Sequence, residues 1–204
     1  MSVTIAGKRA NVFGEGSRDS NLGRTELREI VARSLDAIPE GSRIVAIIPD
    51  KTRDDITDIL LPMAIEELTY KRPAMFEILV AQGTHPAMTD AEKNMKTGRE
   101  VWADWSRDSV IHDHNWNGPN ELIELGEIGW ETVSALTDGA YSETIKVTVN
   151  RRLTPSNCDY ILIFGSVVPH EVAGFAGGAK YLFPGVSGRE LTNATHWIGA
   201  LAGI

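Results

Sequence analysis

The sequence predicts an α/β fold in which helices cover both faces of a mostly parallel β-sheet. Two short apolar runs, residues 44–48 and 76–81, have the length of strands that are buried on both faces. Between them, apolar residues recur at helical spacing. Because strands and helices alternate along the chain, we expect parallel strands joined by right-handed crossovers.

The first half of the chain supplies two strand–helix units. Gly41-Ser42 opens the first strand and Pro49-Asp50 closes it. The next helix is predicted to begin at Asp54-Asp55, where carboxylates suit the positive end of the helix dipole. Its buried face is predicted to carry Ile56, Ile59, Leu60, Met63 and Leu68. After the second strand, Thr89-Asp90 marks the start of another helix, and residues before about Gly41 are not assigned to the sheet.

The second half is less regular. Shorter strands are predicted over residues 110–114, 121–125 and 144–149, followed by a buried strand over residues 160–164. Ser187 is a predicted N-cap for a final helix that carries Leu191, His196 and Ile198.

The composition disfavours several classes of protein. A net charge of −8 argues against binding to nucleic acid or anionic membranes, because both need basic patches. Cys158 is the only cysteine, so the chain has no disulfide framework and no thiolate-rich metal site. No secretory signal and no apolar run of membrane-spanning length is found, so a cytoplasmic protein is expected. The apolar residues 200–204 suggest a fragment whose missing partner covers that end.

Polar residues follow three of the predicted strands. Asp50 and Arg53 follow the first, His85 follows the second, and His170 follows the last. Taken alone, Asp50 is explained as a helix cap, Arg53 as the partner of Asp54 or Asp55, and His85 as a turn residue. Because the carboxyl ends of parallel strands meet at one edge, their joint occurrence favours a functional site there.

A glycine-rich segment, residues 174–180, ends at Lys180. It lacks the Gly-Lys-Ser/Thr of a Walker loop, and Gly174, Gly177 and Gly178 do not have the spacing of a dinucleotide fingerprint. Its backbone amides can still approach an anion, and its lysine offers an amine nucleophile. A flexible surface turn is the alternative.

His112 and His114 lie two residues apart, which places both imidazoles on one face of a strand. This spacing occurs in metal sites and gives one alternative function, a divalent-metal hydrolase. A structural pair is the simpler interpretation.

Taken in order, these residues resemble the nickel-dependent lactate racemase family. The resemblance rests on Asp50-Lys51-Thr52-Arg53, Gly83-Thr84-His85, Pro169-His170, Gly177-Gly178-Ala179-Lys180 and His196. It implies that residues 1–204 form the N-terminal domain of a two-domain enzyme whose C-terminal domain is absent from this chain.

The resemblance also implies a racemase or epimerase of lactate or another 2-hydroxy acid. In that family the cofactor is a pyridinium mononucleotide that carries nickel in a sulfur–carbon–sulfur pincer. Dedicated enzymes synthesise it. By resemblance, Lys180 attaches it covalently, His196 ligates the nickel, and Asp50, Gly177 and Gly178 contact the nucleotide. His85 and His170 would be the two acid/base residues, and Arg53 would bind the substrate carboxylate.

Two positions depart from the family pattern. Ala176 stands where serine is common, and Asp54 stands where proline is common, which adds a carboxylate beside the implied anion site. The family's C-terminal substrate contacts are absent, so the isolated chain is expected to be inactive. A non-catalytic module that binds a nucleotide or small acid is the second alternative.

Overall fold

The computed structural model describes residues 2–5, 8–14, 16–98, 110–170 and 174–202. The strands are β1 (Ser2–Ile5), β2 (Lys8–Asn11), β3 (Arg43–Pro49), β4 (Met75–Ala81), β5 (Val110–Asp113), β6 (Leu122–Ile128), β7 (Ile145–Asn150), β8 (Tyr160–Ile163), β9 (Val168–His170) and β10 (Gly174–Ala176). The α-helices are α1 (Arg24–Leu35), α2 (Thr57–Thr69), α3 (Asp90–Thr97), α4 (Trp130–Leu136) and α5 (Arg189–Ala202). Two 3-10 helices are η1 (Arg151–Leu153) and η2 (Gly178–Tyr181).

A four-stranded parallel sheet in the order β5-β4-β3-β8 forms the centre of the fold. This confirms the α/β prediction. β3 and β4 pair along their whole lengths, from Arg43 opposite Met75 to Pro49 opposite Ala81. Because β3 is central and buried on both faces, it reads as a continuous apolar run rather than an alternating one.

The two faces of this sheet are covered differently. Apolar side chains of α1 and α2 pack on one face, around Ile44, Ile48 and Ile78. The other face, around Val45 and Leu79, is covered by residues of η2, β7 and the loop that precedes β8. Helices therefore flank both faces, but those on the second face are short 3-10 turns.

The strand expected over residues 160–164 was predicted to be buried and lies instead at the sheet edge. β8 pairs only with β3 among the described strands, and Ile161 and Ile163 are 38% and 39% exposed. An edge position cannot be read from an apolar run, since edge and central strands share the same local sequence pattern.

A smaller unit stands beside the parallel sheet. β6 and β7 form an antiparallel pair, and α5 packs against β7. Val133, Ile145, Leu191 and Ala194 form their own buried cluster there. Two short antiparallel pairs, β1–β2 and β9–β10, complete the described fold.

Two helix starts differ from the prediction. α2 begins at Thr57, two residues late, and the Asp55 carboxylate accepts a hydrogen bond from the Thr57 amide at 2.8 Å. α5 begins at Arg189, and the Ser187 hydroxyl donates to the Leu182 carbonyl oxygen at 3.0 Å instead of capping the helix. The Asp55 carboxylate also pairs with Lys96 of α3.

The start of α3 is as predicted. Thr89 is the N-cap, and its hydroxyl and the Glu92 carboxylate exchange hydrogen bonds with each other's backbone amides in a capping box.

Within the described ranges, no helix has the length and apolarity needed to cross a membrane. The last two residues of the apolar chain end, 203 and 204, lie outside the described residues.

Candidate active site

The turns after β3 and β4 meet at one edge of the sheet through a histidine–carboxylate contact. His85 Nδ1 lies 2.6 Å from Asp50 Oδ2. The other oxygen, Asp50 Oδ1, accepts hydrogen bonds from the Thr52 amide at 3.1 Å and the Thr52 hydroxyl at 2.6 Å. The Asp50 side chain is 4% exposed, whereas that of His85 is 45% exposed. A buried carboxylate thus holds a partly exposed imidazole.

Arg53 lies in the same turn with a half-buried side chain. The alternative partner Asp55 is not available to it, because Lys96 Nζ lies 2.9 Å from Asp55 Oδ2 in a buried ion pair. The same amine donates to the Arg53 carbonyl oxygen at 2.6 Å. Among the described residues, no carboxylate lies within ion-pair distance of the Arg53 guanidinium, so the idea that Arg53 merely pairs with its neighbours is wrong.

Tyr181 of η2 belongs to a buried cluster with Val45 and Ile47 of β3. Burial raises the pKa of the Tyr181 phenol, the carboxylates of Asp55 and Asp50 raise it further, and the Arg53 guanidinium lowers it. The phenol is therefore close enough to feel these charges. It stands directly after Lys180 in η2.

Backbone hydrogen bonds tie the lysine turn to the histidine turn. The Gly185 amide donates to the Lys180 carbonyl oxygen at 3.0 Å, and the Gly83 amide donates to the Gly185 carbonyl oxygen at 3.0 Å. His85 is fixed within its own turn, since its amide donates to the Gln82 carbonyl oxygen at 2.9 Å. Asp50, Arg53, His85 and Lys180 thus belong to one connected edge.

The two glycines before Lys180 have different environments. Gly177 has φ +83°, and a Cβ there would lie 2.0 Å from the Ser166 carbonyl oxygen. Gly178 has φ +56°, and a Cβ there would meet Val167 Cγ2 at 3.7 Å, an ordinary contact. Close backbone packing therefore requires glycine at position 177, whereas among the described residues a Cβ at Gly178 would meet no backbone atom.

His170 ends β9, which pairs with β10 so that His170 lies opposite Gly174. The hairpin leads from the end of β8 directly into Gly177 and η2. This places His170 on an element that joins the same edge of the sheet.

His196 lies on another part of the surface. It is exposed on α5 and lines a cavity of about 800 Å³ together with Tyr141, Lys146, Thr148, Arg189, Glu190, Asn193, Ala194 and Trp197. Neither His85 nor Lys180 is among those lining residues. None of the other predicted site residues lines this cavity.

His114 and His112 do not form a metal site. His114 is 1% exposed. Its Nε2–H donates to the Ser187 carbonyl oxygen at 2.8 Å, and its Nδ1 accepts from the side-chain Nδ2 of Asn150 at 3.2 Å. With both ring nitrogens engaged, it cannot ligate a metal. Across the described part of the chain, no group of three or more His, Cys, Asp or Glu residues is arranged to hold a metal ion. The hydrolase alternative is therefore unsupported.

Comparison with known proteins gives the family. Residues 24–202 match the family model for the lactate racemase N-terminal domain. The chain belongs to this family. A lactate racemase from Thermoanaerobacterium thermosaccharolyticum is 30% identical over 182 residues, and one from Lactiplantibacillus plantarum is 27% identical over 183. A crystal structure of a protein from Thermotoga maritima aligns with a TM-score of 0.79 at 29% identity and covers 89% of this chain.

The lactate racemase N-terminal domain match includes every predicted site residue from Asp50 to His196. The chain is shorter than its relatives. It covers 38% and 37% of the two lactate racemases, and 42% of the Thermotoga chain.

Sequence reasoning missed three residues of this family site. Thr52 fixes Asp50, Lys96 pairs with Asp55, and Tyr181 packs against β3. The motif Asp-x-Thr is a local signal for the Thr52 contact, because such side chains bond to backbone two residues on. The Lys96 and Tyr181 contacts are long-range and have no local signature.

Proposed function

We propose that this chain is the cofactor-binding and catalytic-histidine domain of a racemase or epimerase acting on lactate or a related 2-hydroxy acid. The chain is a lactate racemase N-terminal domain, and one structural observation within it supports the proposal. An imidazole with one nitrogen on a buried carboxylate stands at the same edge as a lysine turn and the guanidinium of Arg53, which has no carboxylate partner among the described residues.

His85 and His170 are assigned as the two acid/base residues. Racemisation needs proton exchange at the substrate hydroxyl for either enantiomer, and a histidine on each side of the substrate meets that need. Imidazole suits both directions because it titrates near neutral pH and can donate or accept.

Arg53 is assigned to the substrate carboxylate. Its guanidinium has no carboxylate partner among the described residues, and a planar fork matches a carboxylate in two parallel hydrogen bonds. Such bidentate binding would fix the plane of the 2-hydroxy acid relative to the two histidines. Asp54, exposed in the same turn, adds a negative charge that favours small or hydroxylated acids over further anionic groups.

The cofactor proposed for this site is the nickel-pincer pyridinium mononucleotide. When bound, it supplies the hydride acceptor and donor for the substrate carbon. Lys180 would hold it covalently, His196 would ligate its nickel, and Asp50, Gly177 and Gly178 would lie against the nucleotide.

Two features of the described residues bear on the fit of such a group. Gly178 lies two residues before the half-buried Lys180, and among the described residues a Cβ there would meet Val167 Cγ2 at 3.7 Å, so no backbone atom crowds that side of the loop. The imidazole of His196 is a suitable nickel ligand by its chemistry, but it borders a cavity of about 800 Å³ that none of the other proposed cofactor residues lines. The proposal also requires the enzymes that synthesise the cofactor and a C-terminal domain that closes the site.

Intact-mass measurement tests this proposal. The complete protein that carries this chain is produced together with the cofactor-synthesis enzymes and analysed with and without Lys180→Ala. We expect a covalent adduct and interconversion of lactate enantiomers, both lost in the variant. Lys51→Ala is the matched control, because Lys51 is an exposed lysine that pairs with Glu92.

An adduct that survives Lys180→Ala would remove that lysine from its role. Binding of the nucleotide with no turnover of any 2-hydroxy acid would favour the non-catalytic alternative.

A further inference from the structure

We infer that Asp50 is a positioning residue that sets the tautomer of His85 and leaves Nε2 as the nitrogen that exchanges protons with substrate. The inference rests on the proposed function, in which His85 is an acid/base residue. It adds a role for Asp50 distinct from any contact with a cofactor.

The hydrogen-bond roles around Asp50 fix the tautomer. An ionised carboxylate only accepts, so at a separation of 2.6 Å it is His85 Nδ1–H that donates to Asp50 Oδ2. In the neutral ring the lone pair then lies on Nε2. The His85 side chain is 45% exposed although its Nδ1 contacts a carboxylate that is 4% exposed, so the ring remains accessible outside that contact.

Asp50 is itself held in place. Its Oδ1 accepts from both the amide and the hydroxyl of Thr52, which orients Oδ2 towards the imidazole. The burial of a carboxylate is costly unless hydrogen bonds offset it, and these three donors supply that compensation.

The turn of His85 has backbone hydrogen bonds of its own besides the side-chain contact. The Gly83 amide already donates to Gly185, and the His85 amide donates to Gln82. The consequence of the side-chain contact therefore falls on the ring, on its orientation and on the position of its proton.

Asp50→Asn is predicted to reverse the tautomer. The two Thr52 donors would keep the amide oxygen of Asn, so its NH₂ group would face His85 Nδ1. Nδ1 would then accept, and the ring proton would move to Nε2, where the lone pair is needed.

Ring-nitrogen NMR of the 204-residue chain measures the tautomer of His85 directly. Long-range ¹H–¹⁵N correlations above the titration range of the ring are expected to show the Nδ1–H tautomer for His85 in the wild type and Nε2–H in Asp50→Asn. Asp54→Asn is the matched control, since it removes an exposed carboxylate from the same turn and is expected to leave the wild-type tautomer.

An Nε2–H tautomer in the wild type would overturn the inference without any variant. An unchanged tautomer in folded Asp50→Asn would overturn it as well.

In the complete, cofactor-loaded protein, Asp50→Asn is expected to lower kcat by about 10²–10⁴-fold with a much smaller change in KM. An unchanged kcat in Asp50→Asn would also contradict the positioning role of Asp50. Because the NMR measurement needs no cofactor, absence of all racemase turnover would refute the proposed function while leaving the tautomer result to stand alone.

Discussion

At the scale of single residues, hydrogen bonding separates a functional histidine from a structural one. His114 is enclosed, and both of its ring nitrogens bond to the fold. His85 has one nitrogen on a buried carboxylate and nearly half of its side chain exposed. Only the second arrangement leaves a nitrogen for a substrate. The sequence shows two histidines in polar surroundings and cannot distinguish them, because Asn150 and Ser187 reach His114 from distant parts of the chain.

His114 predicts a pH dependence of stability. Burial, the largest effect, lowers its pKa in the folded state below the ordinary 6.5, so the unfolded chain binds the proton more tightly. Its neutral form therefore favours the fold fully above about pH 6.5, and this stability is lost as the pH falls towards the lowered pKa. The limiting slope for one proton is about 1.4 kcal/mol per pH unit.

Urea unfolding between pH 5 and 7 measures this slope, which is expected to decrease in His114→Gln. Part of the slope remains in that variant, because burial also lowers the pKa of His112. The two carboxylates whose pKa is lowered contribute mainly below this pH range. Hydrogen bonds from Lys51 and Arg43 hold the pKa values of Glu92 and Asp159 at about 2, so their contributions are lost below the ordinary values of 4.5 and 3.8. An identical slope in wild type and His114→Gln would contradict the assignment.

At the scale of elements, the turn before Lys180 predicts a difference between two neighbouring glycines. Gly178→Ala costs about 1–2 kcal/mol of unfolding free energy, because alanine is strained at positive φ. Gly177→Ala carries the same strain and also places Cβ 2.0 Å from the Ser166 carbonyl oxygen, so it loses about 1–3 kcal/mol more. Denaturant unfolding of the two variants tests this, with Gly178→Ala as the control for strain alone. Equal losses would show that the Ser166 contact is unimportant.

The elements also show which helix starts and which strand positions local sequence can predict. The start of α3 was predictable, because the capping box of Thr89 and Glu92 lies within four residues. The start of α2 was not, since Asp55 bonds to the Thr57 amide and pairs with Lys96 from α3. The burial of β8 was misjudged for a similar reason: its position at the edge depends on which strands pair with β3.

At the scale of the whole molecule, the order of the sheet brings the candidate site together. β3 and β4 are neighbours and parallel, so the turns that follow them meet at one edge, and Asp50 contacts His85 there. That proximity was predictable, since sites in open α/β sheets lie at the carboxyl ends of the strands. The position of His196 was not, because it depends on how α5 packs against β7 outside the parallel sheet.

The central claim is that His85 and His170 act as a pair of acid/base residues on one substrate. Chiral chromatography of lactate and related 2-hydroxy acids, incubated with the complete cofactor-loaded protein, tests it most directly. We predict that His85→Ala and His170→Ala each slow interconversion in both directions by about 10²–10⁴-fold, whereas His112→Gln retains the wild-type rate. Interconversion at the wild-type rate in either alanine variant would contradict the account.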